Sequence, residues 1–526
     1  MTDPAPWWRR GVVYQVYPRS FQDSNADGVG DLPGILSRLD HLAWLGVDAL
    51  WLSPIYLSPM ADFGYDVADH TAIDPVFGTL GDFDRLLAAA HARGLRLVLD
   101  YVPNHTSDRH EWFRASRASR ENPRRGWYLW RDPGPGGGPP NNWLSEFGGS
   151  AWEFDGASGQ YYLHTYLREQ PDLNWRNPAV ERAMFDVLRF WLDRGVDGFR
   201  VDAVTHCLKD DRFRDNPPNP EFRPGANPYK RLLPLHTADL PEVHHLIARM
   251  RALLDGYGER AMIAEIYAPI EKLVAYYGAA EPEAHLPTNF ALLKLPWDAA
   301  EVGATIARYE AALPPGTWPN WTLGNHDKPR VASRVGVAQA RVAAMLLLTL
   351  RGTPTIYYGD EIGMRDVPVP PDKVRDPWGV NVPGLGLGRD PQRTPMQWDD
   401  GPAAGFTAGE PWLPTGESAI NVRAQFADPR SMLWLHRRLL ALRRAESALS
   451  TGGLALLHAD GGVLAYLRTA GDRNLMVALN MASRPAAAPV PGEGRVLIDT
   501  ALGREGERAR GSVALAPDEG LVLELP

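Results

Sequence analysis

The chain has 526 residues, and its 55 lysines and arginines against 64 aspartates and glutamates leave a formal charge of −9 at pH 7. With 44% hydrophobic and 23% charged residues the balance is globular with ample core, and the acidic excess argues against nucleic acid, which requires clustered positive charge. Only six of the cations are lysine, so the positive charge is almost all arginine, spread along the chain. In chain order, Val12 to Tyr17 and Asp48 to Leu52 read as strands, with an amphipathic helix from Leu36 to Leu45 between them. A helix from about Asp82 to Ala92 precedes a third strand, Leu95 to Val102. Further strands are predicted at Val196 to Val201, Ala261 to Ile266, Trp318 to Gly324 and Thr353 to Tyr358, with a weaker pattern near Thr288 to Leu292. Strands alternating with helices imply a parallel sheet, and eight such units suit a (β/α)8 TIM barrel.

Two long irregular stretches interrupt the alternation. Residues 105–174 are rich in Gly, Pro and Asn, and read as an irregular subdomain inserted after the third strand. The second, Arg365 to Pro414, follows the eighth strand. Loops of this length usually carry function, and in a barrel they lie at the catalytic face. After a helix from Arg430 to Arg444 come short, turn-bounded strands at Gly462 to Thr469, Arg473 to Asn480, Gly494 to Ile498 and Gly511 to Leu525. The expected division is therefore a barrel in two parts, 1–104 and 175–447, the insert at 105–174, and a C-terminal antiparallel β domain at 448–526.

The single cysteine, Cys207, excludes an internal disulfide and a cysteine-based zinc cluster, and suits a reducing cytoplasm. Met1 to Gly11 has no signal-peptide apolar run. The longest apolar stretch, Val342 to Leu350, is far below the ~20 residues of a membrane span. A cytoplasmic protein with no membrane partner is expected. Eighteen tryptophans and eighteen tyrosines serve either core packing or stacking on sugar rings, and composition does not choose between them.

The chemistry concentrates at strand ends. In GVDGFRVDA, Arg200 and Asp202 share the inward face of a strand, and the guanidinium is expected to hold Asp202 ionised. A structural ion pair would look the same. Glu265 lies in the apolar strand AMIAEIY without an evident partner, a setting that should raise its pKa. His326 and Asp327 follow the seventh strand in LGNHDKPR, and His105 ends DYVPNH after the third. Paired carboxyl groups of this kind serve glycoside hydrolysis. No Gly-x-Gly-x-x-Gly after a strand, P-loop lysine, His-Glu-x-x-His or Gly-x-Ser-x-Gly is present, so no organic cofactor is expected.

DYVPNH, GFRVDA, AEIY and GNHD occur in order, flanked by YQVYPRSF from Tyr14, QPDLNW at Gln170 to Trp175 and RTPMQW at Arg393 to Trp398. With these motifs the whole chain resembles the α-amylase family, glycoside hydrolase family 13, in its α-glucosidase and oligo-1,6-glucosidase branch. The resemblance implies Asp202 as nucleophile, Glu265 as general acid/base and Asp327 as the carboxylate gripping the 2- and 3-hydroxyls. It implies His105, His326 and Arg200 around the glucosyl ring, Tyr65 stacked on it, and Asp62 paired with Arg393 at the terminal 4-hydroxyl.

The loop DSNADGVGD offers oxygen ligands at Asp23, Asn25, Asp27, the Val29 carbonyl and Asp31, with Gly28 for the turn. That is a hard-cation pattern, equally a polar Asx turn. The resemblance implies a structural divalent cation, calcium or magnesium. The expected function is a retaining exo-acting α-glucosidase that releases glucose from short α-glucosides. The alternatives are an oligo-1,6-glucosidase, a glucosyl-transferring or isomerising enzyme of sucrose or trehalose type, and, from another class, a non-catalytic carbohydrate-binding or scaffold protein. Ala203, directly after the nucleophile, is expected at the entrance to the next sugar site. The resemblance links a small residue there to α-1,4 preference.

Overall fold

The structure is a computed structural model, and residues 5–526 are described. Eight parallel strands form the central sheet: β1 (Val13–Val16), β2 (Ala49–Leu52), β3 (Arg96–Tyr101), β4 (Gly198–Val201), β5 (Ala261–Glu265), β6 (Leu286–Thr288), β7 (Asn320–Thr322) and β8 (Thr353–Tyr357). They pair in the order β6-β5-β4-β3-β2-β1-β8-β7, and a single parallel bridge, Asn289 to Trp321, joins the two ends into a barrel. β1, β2, β4, β5 and β8 are buried at every residue. This is the reason the strands read as unbroken apolar runs rather than alternating ones.

Helices between the strands include α1 (Leu39–Leu45), α2 (Leu80–Ala92), α3 (Pro178–Asp193), α4 (Glu242–Asp255), α5 (Ala299–Ala312), α6 (Val337–Thr349) and α7 (Met432–Ala445). Their starts are set by local chemistry. Thr79 and Asp82 form a reciprocal capping box on α2, and Asn177 caps α3 with Pro178 at its first position. Between β3 and α3, three short antiparallel segments (Trp130–Arg131, Trp152–Asp155 and Gln160–Leu163) build a small sheet. After α7 a six-stranded antiparallel sheet follows: β9 (Gly453–Asp460), β10 (Val463–Ala470), β11 (Arg473–Asn480), β12 (Ala486–Asp499), β13 (Arg508–Leu515) and β14 (Gly520–Leu525).

Three predicted elements differ. The helix expected over Leu36 to Leu45 is two pieces, Leu32–Ser37 and α1, broken at Arg38, whose Nε donates to Gln22 Oε1 at 2.7 Å and whose guanidinium lies over Trp398. The sixth strand is Leu286–Thr288, not Thr288 to Leu292. Asn289 Oδ1 accepts from Ala291 N and turns the chain into a helical segment, Ala291–Lys294. The strand expected from Gly511 to Leu525 is β13 and β14, separated where Asp518 takes a left-handed φ of 57°. β9 escaped notice because its alternation is weak: it has no fully buried residue.

Candidate active site

Arg200 is the hub. Its position on β4 is opposite Asp100 on β3, and Nη1 donates to Asp100 Oδ1 at 2.8 Å and to Asp202 Oδ1 at 2.6 Å. Nη2 lies 2.5 Å from Glu265 Oε1. β4 and β5 approach closely because Gly198 has no side chain: a Cβ there would sit 2.3 Å from the Ala261 carbonyl oxygen. Asp202 follows β4, and its N–H donates to the Tyr101 carbonyl across the sheet at 2.8 Å. Ala203 then turns left-handed, at φ 43° and ψ 29°, which aims its N–H at Glu265 Oε2, 3.0 Å away.

Two expectations change here. Glu265 is not unpartnered in its apolar strand; its Oε1 is ion-paired with Arg200 and its Oε2 accepts from the Ala203 N–H. The short spacing from strand end to strand end brings the hub within reach, which the isolated β5 sequence does not reveal. Arg200 also does not simply hold Asp202 in the usual carboxylate range. Burial pushes the Asp202 carboxyl well up, with Arg200 pulling down and Glu265 and Asp100 adding to the rise. Burial likewise raises Asp100 to about 6, against the pull of Arg200.

A second group faces the first. Tyr65 donates to Asp100 Oδ2 at 3.0 Å, and its hydroxyl lies 2.8 Å from His326 Nε2, with the two rings parallel within 1°. His326 Nδ1 meets Gln15 Nε2 at 2.8 Å, so the imidazole is held on both nitrogens. His105 is 3.1 Å from the Tyr65 carbonyl and 3.1 Å from Gln170 Nε2, and burial brings it down to about 4. It is neutral at physiological pH.

Asp62 is paired with a different arginine from the one expected. Its Oδ1 accepts from Arg389 Nη2 at 2.7 Å, while Arg393 donates through Nη2 to Asp327 Oδ1 at 2.9 Å and through Nε to the His326 carbonyl at 2.8 Å. The two arginines lie four residues apart, and the short helical turn Asp390–Gln392 carries them side by side. Arg389 also reaches Asp327 Oδ1 at 3.2 Å and Asp376 Oδ1 at 2.7 Å. Burial works to raise Asp327, yet His326, Arg389, Arg393 and Lys328 together hold it well below the usual range. Thus Asp62, Tyr65, His105, Arg200, Asp202, Ala203, Glu265, His326, Asp327 and Arg393 form one linked network.

Asp100, Gln15, Gln170, Asp376 and Arg389 are members that sequence reasoning missed. Asp100 carried a usable signal, an acid inside the apolar strand RLVLDY. Asp376 and Arg389 sit in an irregular stretch without periodicity and carried none.

The Asp23–Asp31 loop is held by its own turns. Asp23 Oδ1 accepts from Asn25 N and Ala26 N, Asn25 Oδ1 from Asp27 N, Asp27 Oδ1 from Val29 N, and Asp31 Oδ1 from Gly34 N. Asp23 and Asp31 are both buried. Among the described residues neither has a lysine or arginine nitrogen within 4.0 Å. Nor does any group of three or more His, Cys, Asp and Glu side chains gather there as a metal cluster. The side-chain oxygens of Asp23, Asn25, Asp27 and Asp31 are the donor type that a hard cation takes.

The catalytic-domain profile of the α-amylase family matches residues 15–452. The chain belongs to the α-amylase family. It is 43% identical over 505 residues to a probable alpha-glucosidase of Rhizobium meliloti (strain 1021), covering 92% of this chain and 91% of that one. An oligo-1,6-glucosidase of Parageobacillus thermoglucosidasius is 39% identical, with 92% of each chain covered. Among solved structures, an alpha-glucosyl transfer enzyme, XgtA, superposes with a TM-score of 0.94 at 42% identity, over 99% of this chain and 100% of that one. The trehalulose synthase MutB from Pseudomonas mesoacidophila MX-45 gives 0.91 at 36%, with both chains fully covered. The acidic network lies at the C-terminal ends of barrel strands, with Asp202 after β4, Glu265 at the end of β5 and Asp327 after β7. No described helix is long and apolar enough to cross a membrane.

Proposed function

We propose that this chain is a retaining, exo-acting α-glucosidase that releases glucose from the non-reducing end of short α-glucosides, with maltose-type α-1,4 links preferred. The observation that carries the reading is one guanidinium bonded to both Asp202 and Glu265. Two carboxyl groups tied to the ends of one Arg200 favour the ~5–5.5 Å separation of retaining enzymes over the ~6.5–9.5 Å of inverting ones. Asp202, in the ionised form that its bond to Arg200 favours against burial, attacks the anomeric carbon while Glu265, in its protonated form, gives a proton to the departing oxygen. Glu265 then takes a proton from water, which attacks the glucosyl ester and frees Asp202. Asp327, kept ionised by Arg389 and Arg393, accepts from the sugar hydroxyls as positive charge builds on the ring.

Exo action is supported by the wall that Arg389 makes with Asp62 and Asp327. A long chain cleaved internally would have to extend beyond the glucosyl site and displace buried, paired charges. Product analysis on maltose, isomaltose, sucrose and trehalose tests the reading: glucose from maltose above the other three supports it, and random cleavage of soluble starch overturns it. Glucosyl transfer or isomerisation is the second reading, favoured by the likeness to the alpha-glucosyl transfer enzyme; it would appear as disaccharide products in place of free glucose. The same proposal assigns a structural divalent cation to the Asp23–Asp31 loop. A cytoplasmic location belongs to it too, supported by the lone buried Cys207, and cell fractionation tests it.

A further inference from the structure

Gln15 is a fully buried amide on β1, on the same face as Val13, which packs with Ala49, Trp51 and Val98 inside the barrel. Its Nε2 lies 3.2 Å from Ser53 Oγ and 2.8 Å from His326 Nδ1, while its Oε1 meets no donor. Burying an amide with one end unmatched is costly, and an apolar side chain in its place would avoid the cost. Packing alone does not account for a glutamine here.

The direction of the surrounding hydrogen bonds does. Tyr65 has one hydroxyl proton and two neighbours, Asp100 Oδ2 at 3.0 Å and His326 Nε2 at 2.8 Å. Asp100 is an acceptor: Trp51 Nε1 donates to the same Oδ2 at 3.2 Å, and Arg200 Nη1 to Oδ1 at 2.8 Å. Burial lifts its carboxyl to about 6, so it is ionised at pH 7. Tyr65 therefore gives its proton to Asp100, and its oxygen receives one from His326 Nε2. Asp327 Oδ2, 3.5 Å from the same nitrogen, favours a proton there too. His326 is neutral, because burial, with Arg393, Arg200 and Arg389, outweighs the pull of Asp327. A neutral imidazole that donates from Nε2 accepts at Nδ1, and the group facing Nδ1 is the Gln15 amide. Turned over, that amide would set its oxygen against the Nδ1 lone pair.

We propose that Gln15 is a positioning residue for the glucosyl site: it fixes the Nε2–H tautomer of His326 and so keeps the Tyr65 proton on Asp100. The inference rests on the glucosidase reading and deepens it by naming a residue that acts through His326. With the proton on Nδ1 instead, Nε2 would take the Tyr65 proton, and Asp100 would lose one of its three side-chain donors. Asp100 shares Arg200 with Asp202 and Glu265, so the loss reaches the two reacting carboxyl groups.

The test reads the tautomer first. Neutron diffraction of the unmutated protein at pH 7 should show His326 protonated on Nε2 and bare on Nδ1. A proton on Nδ1 overturns the proposal whatever the activity. Gln15→Met removes the donor and has nothing to titrate. Its kcat on maltose should fall about tenfold, the equivalent of ~1.4 kcal/mol, with KM changed less than threefold. Gln15→Glu keeps the shape and donates to Nδ1 only while its carboxyl is protonated, which burial favours. It should therefore exceed Gln15→Met in kcat at about pH 5 and lose that advantage by about pH 8. A methionine variant within twofold of the parent, or a glutamate variant with no advantage at the lower pH, also overturns the proposal. An unmutated protein that carries the Nε2 proton but leaves maltose intact refutes the glucosidase reading and not the tautomer.

Discussion

Arg389 holds Asp62 at 2.7 Å, and both side chains are almost fully withdrawn from solvent. Removing one member of a buried pair strands the other charge, at roughly 3–5 kcal/mol. Arg389→Ala should therefore lower both stability and activity on every substrate, and should not create internal cleavage of starch. Arg389→Lys keeps the charge but loses the fork that serves Asp62, Asp327 and Asp376 together. It should recover part of the stability and little of the activity. Thermal unfolding and kcat/KM on maltose, measured for both variants, check this; lysine restoring full activity would contradict it.

Asp202→Asn should abolish turnover with the fold intact, because an amide cannot form the glucosyl ester. Glu265→Gln should lower maltose hydrolysis by the ~10²–10⁴-fold typical of a general acid, and lower glycosylation by a nitrophenyl glucoside much less, since that leaving group needs no proton. Burst kinetics with the nitrophenyl substrate separate the two steps. Equal losses on both substrates would remove Glu265 from the acid role.

Glu361 offers a pH signature unconnected with catalysis. It accepts from the Tyr14 hydroxyl at 2.8 Å, and burial lifts its carboxyl to about 7, above the ~4.3 of an unfolded glutamate. A raised carboxyl contributes its stability in full below the unfolded value and loses it as pH climbs through about 7. Glu361→Gln cannot ionise and escapes that loss. The melting temperature of the variant relative to the parent should rise between pH 5 and pH 8, and a pH-independent difference would show that Glu361 does not titrate there.

Chelation should lower the melting temperature more than it lowers the initial rate at 25 °C, if the Asp23–Asp31 loop binds a structural cation. Adding calcium or magnesium back at a hundred times its dissociation constant should restore about 2.7 kcal/mol. Asp23→Ala should abolish the response. A verified metal-free sample with an unchanged melting temperature would dismiss the site.

Ala203 carries the linkage prediction. A methyl-scale change beside a sugar site is worth about 1–3 kcal/mol, so the parent should favour maltose over isomaltose and Ala203→Val should narrow or reverse the ratio. The backbone adds a second effect. Ala203 is left-handed, a region that a β-branched residue enters at roughly 1–2 kcal/mol, so the valine variant should also melt lower. Isomaltose preferred by the parent, or both kcat/KM values falling by one factor, would count against the steric account.

How far the sequence reveals this molecule depends on periodicity. The barrel was legible because its strands are short apolar runs separated by helices, and the acids were legible because they end those runs. The sixth strand was displaced because Asn289 turns the chain one residue after Thr288. The partner of Asp62 was misassigned because Arg389 and Arg393 share one irregular segment, where nothing in the local pattern says which guanidinium points where. Glu265 looked unpaired because its partners, Arg200 and the Ala203 N–H, come from the neighbouring strand. Contacts between loops are decided by three-dimensional convergence, and a single chain pattern carries no record of it.

The lone bridge from Asn289 to Trp321 gives the barrel a seam. The strands on either side, β6 and β7, are the shortest of the eight, with three residues each, and β6 contains Pro287. A barrel that breathes open will part where the fewest bonds hold it, and this one would then present edges too brief, and on one side too poor in N–H donors, to template another chain. The thinnest joint in the ring thus exposes, if it parts, the edges least able to pair with another chain.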